Sequence, residues 1–471
     1  MIVKNDPLVS LRRSVYFDHD NRSQFARTDS RSVERLLSYT VRRAYEHTRF
    51  YRKSLRKHGL TPSKIDSLSL SDLPSLPITQ KRELRENISD FLADDIHVIT
   101  CGYTSGTTGA RTPVYISAEE MEARILLRQI SFKHSQPSNE VGIRFFGLQH
   151  GPELGNYWTF TIPVYFDPNV KPTVDSVINE LGRSHLLGGH VRYPSSLAIS
   201  SRPLRYLTGQ MLERSIAPSS TSIRRVLNYG FYCSKAFRDF CLIQWKADVF
   251  DSYGLYEVYA AAVECELHGP KHFSSVAIPE VLDPATKTPI ENGEGILTWT
   301  PLYPFQAAVP ILRYWTNDLV RIETGSCRCG YVGPSIESIL GRADYSFDFS
   351  AQIRDPTVPR VIGICDIIDE IEATTPLVSS RTETQPRGYG DLAPRFTVMR
   401  PDVTESEPVT IIISLEKFFD KTGSEMKNVG AKITNDLESK YERLSKKLGN
   451  PIYFDVKIVD RMTIQDPIMK A

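Results

Sequence analysis

Residues 103–117 constrain this chain more than any other stretch. They read Tyr103-Thr104-Ser105-Gly106-Thr107-Thr108-Gly109-Ala110-Arg111-Thr112 and continue into the partly β-branched run Pro113-Val114-Tyr115-Ile116-Ser117. Glycine tolerates positive φ and lets a ligand come close to the backbone. Amides and Ser/Thr hydroxyls exposed in such a turn form a concave anion site, of the kind a triphosphate needs. No Gly-Lys-Ser/Thr closes the stretch, so it is not a Walker loop. The competing reading is a polar surface turn, and the uninterrupted run of hydroxyl residues and glycines weighs against it.

At 471 residues the chain is long enough for two or three domains and a large core. A hydrophobic share of 41% and a charged share of 24% suit a globular protein in water. A formal net charge of +1 gives no electrostatic case for nucleic acid or a membrane surface as partner. The first residues, Met1-Ile2-Val3-Lys4-Asn5-Asp6, lack the apolar core of a signal peptide, and no apolar run approaches a membrane span. The cysteines, seven of them, are not spread as a disulfide framework. A cytoplasmic location is expected.

Periodicity predicts the architecture. Val33, Leu36, Leu37, Val41 and Ala44 fall at helical spacing within 31–48, and a second helix should run to His58 with Gly59 as its left-handed stop. Leu73-Pro74-Ser75-Leu76-Pro77-Ile78-Thr79 reads as an extended elbow, with Thr79 as N-cap of a helix through Leu84. Residues 118–134 read as helix. Beyond them strand-like runs (143–146, 159–165, 226–230, 249–253) alternate with helical ones. Residues 280–284 and 292–297 read as a small β-rich subdomain with tight turns. Residues 376–394 form a long Ser/Thr/Pro/Gly-rich loop. One helix should then place Val429, Ile433, Leu437, Tyr441, Leu444 and Leu448 on one face and stop at Gly449. Ile452, Phe454, Val456 and Ile458 alternate as a strand. The expected fold is α/β: a large layered N-terminal domain followed by a small α+β domain.

A metal set is also legible. Cys265, His272 and the pair Cys327-Arg328-Cys329 supply three thiolates and an imidazole, a complete tetrahedral zinc set with no open position. His268, at Cys-x2-His spacing from Cys265, competes for the imidazole position. Scattered buried thiols are the plain alternative.

The residues at 103–109 resemble the Thr/Ser-Ser-Gly-Thr-Thr-Gly phosphate loop of the adenylate-forming superfamily, in the branch around phenylacetate–CoA ligase. The likeness extends to the Leu-Pro elbow with Lys81-Arg82-Glu83-Leu84-Arg85-Glu86-Asn87, and to a turn at Tyr193-Pro194-Ser195-Ser196-Leu197. It continues through Tyr253-Gly254-Leu255-Tyr256-Glu257, Arg313-Tyr314-Trp315-Thr316-Asn317-Asp318 and Gly341-Arg342-Ala343-Asp344. Those enzymes activate a carboxylate with ATP to an acyl-adenylate and pyrophosphate, then pass the acyl group to a thiol. The resemblance implies ATP and Mg²⁺, with Thr104, Ser105, Gly106, Thr107, Thr108 and Gly109 around the phosphates. Gly230, Phe231, Ser252 and Tyr253 would line the nucleotide pocket, Tyr253 against adenine, and Gly254 would let the acyl group approach. Glu257 would hold Mg²⁺, Asp318 the ribose hydroxyls, and Arg342 would sit near ribose and phosphate. Asp344 would be the hinge between an adenylation domain, 1–343, and a mobile domain, 344–471. Some members carry a Cys…His…Cys-x-Cys set at the places seen here, which selects His272 and a structural zinc.

The chain departs from the family pattern in three places. Gly230-Phe231 stands where the family has Gly-Glu. Tyr345-Ser346-Phe347-Asp348-Phe349-Ser350 lacks the glycine of the thiol tunnel. Val459-Asp460-Arg461 is not followed by Gly-Lys, and Lys470 is the only late lysine near the family's catalytic position. The expectation is therefore an ATP-dependent ligase for a small or aromatic carboxylic acid. Its acceptor (CoA, a carrier-protein thiol or an amine) and a homodimeric state are left open. The alternative is a nucleotide-binding relative without catalysis.

Overall fold

The structure, a computed structural model, describes residues 30–104, 111–124, 141–146, 161–165, 171–187, 189–355, 358–374, 396–399, 408–417 and 421–460. Among them no helix is long and apolar enough to cross a membrane.

A 13-stranded sheet organises the fold, and its two halves differ in pairing. Thr161–Tyr165, Val141–Phe146, Pro194–Ala198, Arg225–Tyr229 and Asp248–Gly254 lie side by side in parallel. At Asp248–Gly254 the pairing turns antiparallel. Ala261–Glu264, Lys271–Phe273, Val332–Arg342, Tyr314–Ser326, Gly293–Pro301, Ala277–Leu282 and Pro289–Ile290 continue the sheet. Parallel neighbours need long crossovers, and helices Lys171–Leu181, Ser201–Glu213 and Lys235–Trp245 belong to these connections. Their apolar faces bury Val177, Leu207, Phe237 and Trp245 against Ile143, Leu197, Val226 and Val249 of the strands. The antiparallel half is covered instead by the first helices, Ser30–His47 and Arg49–Lys57, through Leu37, Val41, Tyr51 and Leu55. The short stop at Gly59 has φ +73°, as its sequence predicts.

Residues 347–454 have an apolar core of their own. Phe396–Met399 pairs antiparallel and Ile452–Val459 parallel with the central strand Val409–Glu416. Helix Gly423–Lys440 packs Met426, Ile433 and Leu437 into this core. The helix Ile364–Ala373 begins hard against the end of the large sheet. Gly341 has φ +109°, and a Cβ there would lie 2.2 Å from Ile364 Cγ2, so only glycine permits this approach.

Five local expectations are corrected. The elbow is not extended throughout: Leu70–Ser75 turns as a 3₁₀ helix, closed by Ser69 and Asp72. Thr79 is not an N-cap; Thr79–Gln80 is a short strand parallel to Tyr314–Trp315, and Gln80 caps helix Lys81–Glu86 with Glu83. Pro194–Ala198 is a strand rather than a turn, because its backbone is taken up by parallel neighbours on both sides. The helix expected over 429–448 breaks at Tyr441, whose hydroxyl bonds Asp366 and whose ring is buried, so the last turn restarts as Glu442–Leu448. The stretches at 280–284 and 292–297 belong to the large sheet rather than to a separate subdomain. The long loop expected at 376–394 and the part of helix 118–134 beyond residue 124 lie outside the described residues.

Candidate active site

The change from parallel to antiparallel pairing sets the position of the site. Loops at the carboxyl ends of parallel strands open a crevice in sheets of this kind. Gly230, at φ +76°, ends one such strand and Gly254 ends the next. Arg202 places its guanidinium carbon 4.8 Å from the centre of the Phe231 ring, so an aromatic–cation contact occupies the position of the family's acid. Ser252 lies within the strand, opposite Tyr229 and Val263.

Three predicted residues meet at Asp318. The Tyr253 hydroxyl donates to Asp318 Oδ2 at 2.7 Å, and Arg342 Nε lies 3.3 Å from Oδ1. Asp318 and Arg342 are direct partners across the pair of long strands, which fixes their alignment. The preceding Asn317 adopts φ +65°, and Thr316 Oγ1 accepts from the Asp318 amide at 3.0 Å, holding the turn that aims the carboxylate. Burial pushes the Asp318 carboxyl above the ordinary aspartate range, and Arg342 and Tyr253 oppose that shift.

Glu257 forms the second centre. Its Oε1 accepts from Lys81 Nζ at 2.7 Å and from the Tyr314 hydroxyl at 2.9 Å. Burial opposes its charged form, but the Lys81 ammonium and the Tyr314 hydroxyl more than offset this and hold the carboxyl below the usual glutamate value. Lys81 is the residue that reading the sequence missed. It lies at the start of the helix expected through Leu84, and only the pairing of Thr79–Gln80 with Tyr314–Trp315 carries it into the centre.

The hydroxyl loop is described at its neck only. Thr104 and Thr112 close it through two hydrogen bonds of 3.0 Å, one from each residue's backbone N–H; the Thr112 amide donates to the Thr104 hydroxyl. Ser105, Gly106, Thr107, Thr108 and Gly109 lie outside the described residues, as does Lys470. Asp344 is exposed, in the one-turn helix Ala343–Tyr345.

The ligand atoms of Cys265, His272, Cys327 and Cys329 all lie within 4.8 Å of one another. Cys265 Sγ and Cys327 Sγ are 3.6 Å apart, and Cys329 Sγ is 3.2 Å from His272 Nε2. The sulfurs are too far apart for a disulfide, whose S–S bond is about 2.05 Å. They are near the edge length of a tetrahedron with metal–sulfur bonds of about 2.3 Å. His272 Nδ1 lies 3.1 Å from Ser335 Oγ, which fixes the ring and leaves Nε2 toward the sulfurs. His268 is elsewhere: it stacks on Phe250 at 4.7 Å and faces Glu264 at 3.3 Å.

No family model matches the chain. A phenylacetate–coenzyme A ligase of Thermus thermophilus is 26% identical over 329 residues, 66% of this chain and 69% of the relative. Another, of Aromatoleum evansii, is 27% identical over 318 residues, 65% of this chain and 69% of the relative. Among solved structures, 2-hydroxyisobutyryl-CoA ligase in a postadenylation state superimposes with a TM-score of 0.65 at 16% identity, covering 96% of this chain and 92% of that one. The GH3.15 acyl acid amido synthetase gives 0.56 at 13% identity, covering 92% and 87%. At identities this low the structural matches establish the fold alone. In sequence and in fold the chain resembles the adenylate-forming superfamily, in its phenylacetate–CoA ligase-like branch.

Proposed function

We propose that this chain activates a carboxylic acid with ATP, forming an acyl-adenylate and pyrophosphate, and then passes the acyl group to coenzyme A. The observation that carries the reading is the convergence of Tyr253, Asp318 and Arg342, next to Glu257 on Tyr314, from segments far apart in the chain. In this reading Asp318 accepts hydrogen bonds from the ribose hydroxyls, since an ionised carboxylate is a strong acceptor for a vicinal diol. Tyr253 flanks adenine, and the 104–109 loop holds the phosphates. Mg²⁺ prefers oxygen ligands from one or two carboxylates plus phosphates, and when bound it neutralises phosphate charge. Glu257 Oε1 already serves Lys81 and Tyr314, so Oε2 is the oxygen assigned to the metal. Residues 344–471 are proposed as a mobile domain hinged at Asp344. A small or aromatic acid is the proposed substrate, by analogy with the relatives' names.

The test is pyrophosphate release from ATP across a panel of small and aromatic acids, with and without coenzyme A. Acid-dependent release that coenzyme A accelerates supports the ligase. Release accelerated only by an amine or a carrier-protein thiol moves the acceptor to that class. ATP binding with no acid-dependent release supports the nucleotide-binding alternative, for which Phe231 in the place of an acid speaks.

Zinc at Cys265, His272, Cys327 and Cys329 is proposed as structural. All four positions of a tetrahedral ion would be filled by protein, and the set ties the strand Lys271–Phe273 to the loop before Val332–Arg342. Purified protein should contain about one zinc per chain. Cys327→Ser should lower metal content and the thermal midpoint together, the latter by on the order of 5 °C, because metal binding is linked to folding. His268→Ala should leave the metal in place. Metal-free protein from chelator-free preparation would refute the site.

A further inference from the structure

Glu257 is buried but lies outside the sheet ladder. Residues 255–260 join the strands Asp248–Gly254 and Ala261–Glu264 and belong to neither. Buried main chain outside a ladder must find its hydrogen-bond partners elsewhere. The side-chain amide of Gln306 supplies them. Its Nε2 donates to the Glu257 carbonyl at 3.2 Å, and its Oε1 accepts from the Tyr259 amide at 2.8 Å. A carbonyl and the amide two residues on are the groups that a parallel neighbouring strand would take. The same Nε2 donates to the Val309 carbonyl at 3.1 Å, and Gln306 is itself buried.

We infer that Gln306 is a positioning residue: it fixes Glu257 relative to the phosphate loop, so that one divalent cation can touch the carboxylate and the phosphates together. The inference rests on the assignment of Mg²⁺ to Glu257 in the ligase reading above. The other half of the link is Glu120, which is fully buried. Its Oε1 accepts from the Ala307 amide at 2.8 Å, and its Oε2 from the Ser117 amide at 2.5 Å. Ser117 ends the strand Pro113–Ser117, which starts directly after Thr112, where the loop closes on Thr104. Gln306 and Ala307 are neighbours, so Glu257 and the phosphate-loop strand are tied to adjacent residues of one buried strap. The strap is anchored on both sides. The Ala308 carbonyl accepts from the Ala93 amide at 2.9 Å, and the Phe305 carbonyl from Arg124 Nε at 2.9 Å. The Arg124 guanidinium carbon also lies 4.1 Å from the centre of the Tyr259 ring, on the turn that Gln306 grips.

The distance matters because Mg²⁺ takes oxygen ligands at about 2.1 Å in near-ideal octahedral geometry. A carboxylate that drifts on a loose turn loses that bond before the fold is affected. Lys81 and Tyr314 hold the Glu257 side chain through Oε1; Gln306 holds its backbone. The hydrogen bonds of Gln306 go to main-chain groups, so it acts through Glu257. A glutamine that served only to satisfy buried backbone groups would make the same three bonds, and the experiment separates the two roles.

The probe is Mn²⁺ together with α,β-methylene-ATP, whose bridge between the α- and β-phosphorus cannot be cleaved. Mn²⁺ binding to the full chain is titrated by electron paramagnetic resonance for wild type, Gln306→Met, Glu120→Gln and Gln210→Leu. Gln210 is a buried glutamine of helix Ser201–Glu213, bonded to Glu213 and Arg214, and controls for the loss of a buried amide. Gln306→Met should weaken Mn²⁺ binding about tenfold or more, the range for losing a group that orients a metal ligand. Deuterium exchange over residues 255–260 should quicken. Adenylation by this variant should need more Mg²⁺ for half its maximal rate and should recover when Mg²⁺ is saturating. Gln210→Leu should bind Mn²⁺ as wild type does. Glu120→Gln keeps an acceptor for only one of its two amides and should weaken binding in the same direction. If Gln306→Met does not fold, Glu120→Gln decides, and wild-type binding by it overturns the inference. Three further results would each overturn it while leaving the ligase reading intact. One is wild-type Mn²⁺ binding in folded Gln306→Met. Another is an equal weakening in Gln210→Leu, the mark of general loosening. The third is a loss of adenylation in Gln306→Met that no Mg²⁺ concentration restores. A wild type that binds no Mn²⁺ beside the nucleotide analogue overturns the metal assignment of Glu257 and the inference with it. A wild type that binds Mn²⁺ but forms no acyl-adenylate with any acid overturns the ligase reading, and the titration still judges Gln306.

Discussion

Replacing Asp318 by Ala should weaken use of ATP about a hundredfold or more in kcat/KM for adenylation. Two hydrogen bonds to a charged group are at stake, and each contributes roughly 1.5–3 kcal/mol. The carboxylate is prepared for this in advance: Tyr253 and Arg342 hold it from both oxygens, and the Thr316 hydroxyl fixes its own amide. Asp318→Asn keeps the shape and half the acceptor capacity, so its loss should be smaller. Because burial raises the Asp318 carboxyl, ATP affinity should begin to fall, as pH is lowered, at a higher pH than an ordinary aspartate would give. Pre-steady-state adenylation over a pH series measures both effects. Unchanged ATP dependence in Asp318→Ala would remove the ribose assignment.

The second large effect is expected where helix Ile364–Ala373 meets the body of the large sheet. Arg205 is buried and bonds Glu372 with both terminal nitrogens, at 2.8 and 2.6 Å, and the Ser234 hydroxyl donates to the same carboxylate. Three residues along the chain, Asp369 accepts from the Tyr232 hydroxyl at 2.7 Å and from the Lys235 amide at 3.3 Å. Removing one partner of a buried ion pair leaves an uncompensated charge and costs about 3–5 kcal/mol, while removing both costs much less than the sum. Arg205→Ala should therefore strip hydrogen-exchange protection from helix Ile364–Ala373, and adding Glu372→Leu should restore part of it. Equal protection in all three proteins would contradict this account of the contact. A polar rather than apolar seam also fits the mobile domain proposed above with its hinge at Asp344.

The same seam carries a pH dependence. Burial pushes the Asp369 carboxyl up to about 6 from an ordinary 3.8, with Tyr232 and Lys235 opposing and Asp366 and Lys440 nearby. A carboxyl whose value is raised in the contact binds its proton more tightly there. Its contribution is therefore fullest below the ordinary value and is lost as pH rises through about 6. Protection of helix Ile364–Ala373 should fall over that interval, and Asp369→Asn should flatten the change.

Much of this arrangement was legible in the sequence, for physical reasons that differ by residue. Glycine at positions needing positive φ or close approach, such as Gly59, Gly230, Gly341 and Gly449, leaves a mark that sequence alone displays. The cysteine spacing did so as well, since ligands must recur at few residue types. What stayed hidden depends on tertiary pairing. Thr79 looks like a helix cap, because hydroxyl residues before a helix usually are; its partner, Leu312, lies more than two hundred residues away in the chain. Lys81 was hidden for the same reason, since a charged residue in an amphipathic helix defaults to solvent. Arg205 and Glu372 sit in ordinary helical patterns, and nothing local shows that both become buried. The break at Tyr441 was masked by a perfect apolar stripe, which constrains burial but not the continuity of the backbone.

In the proposed reaction this chain joins a carboxylate oxygen to the α-phosphorus of ATP. The most direct measurement uses an acid labelled with ¹⁸O in both carboxyl oxygens, ATP and coenzyme A, with mass analysis of the nucleotide and phosphate products. Adenylation predicts that one labelled oxygen appears in AMP, because the bridging oxygen stays with phosphorus when the thiol displaces AMP from the acyl carbon. Label in inorganic phosphate accompanied by ADP, or no label transfer with any acid while ATP still binds, would contradict the account.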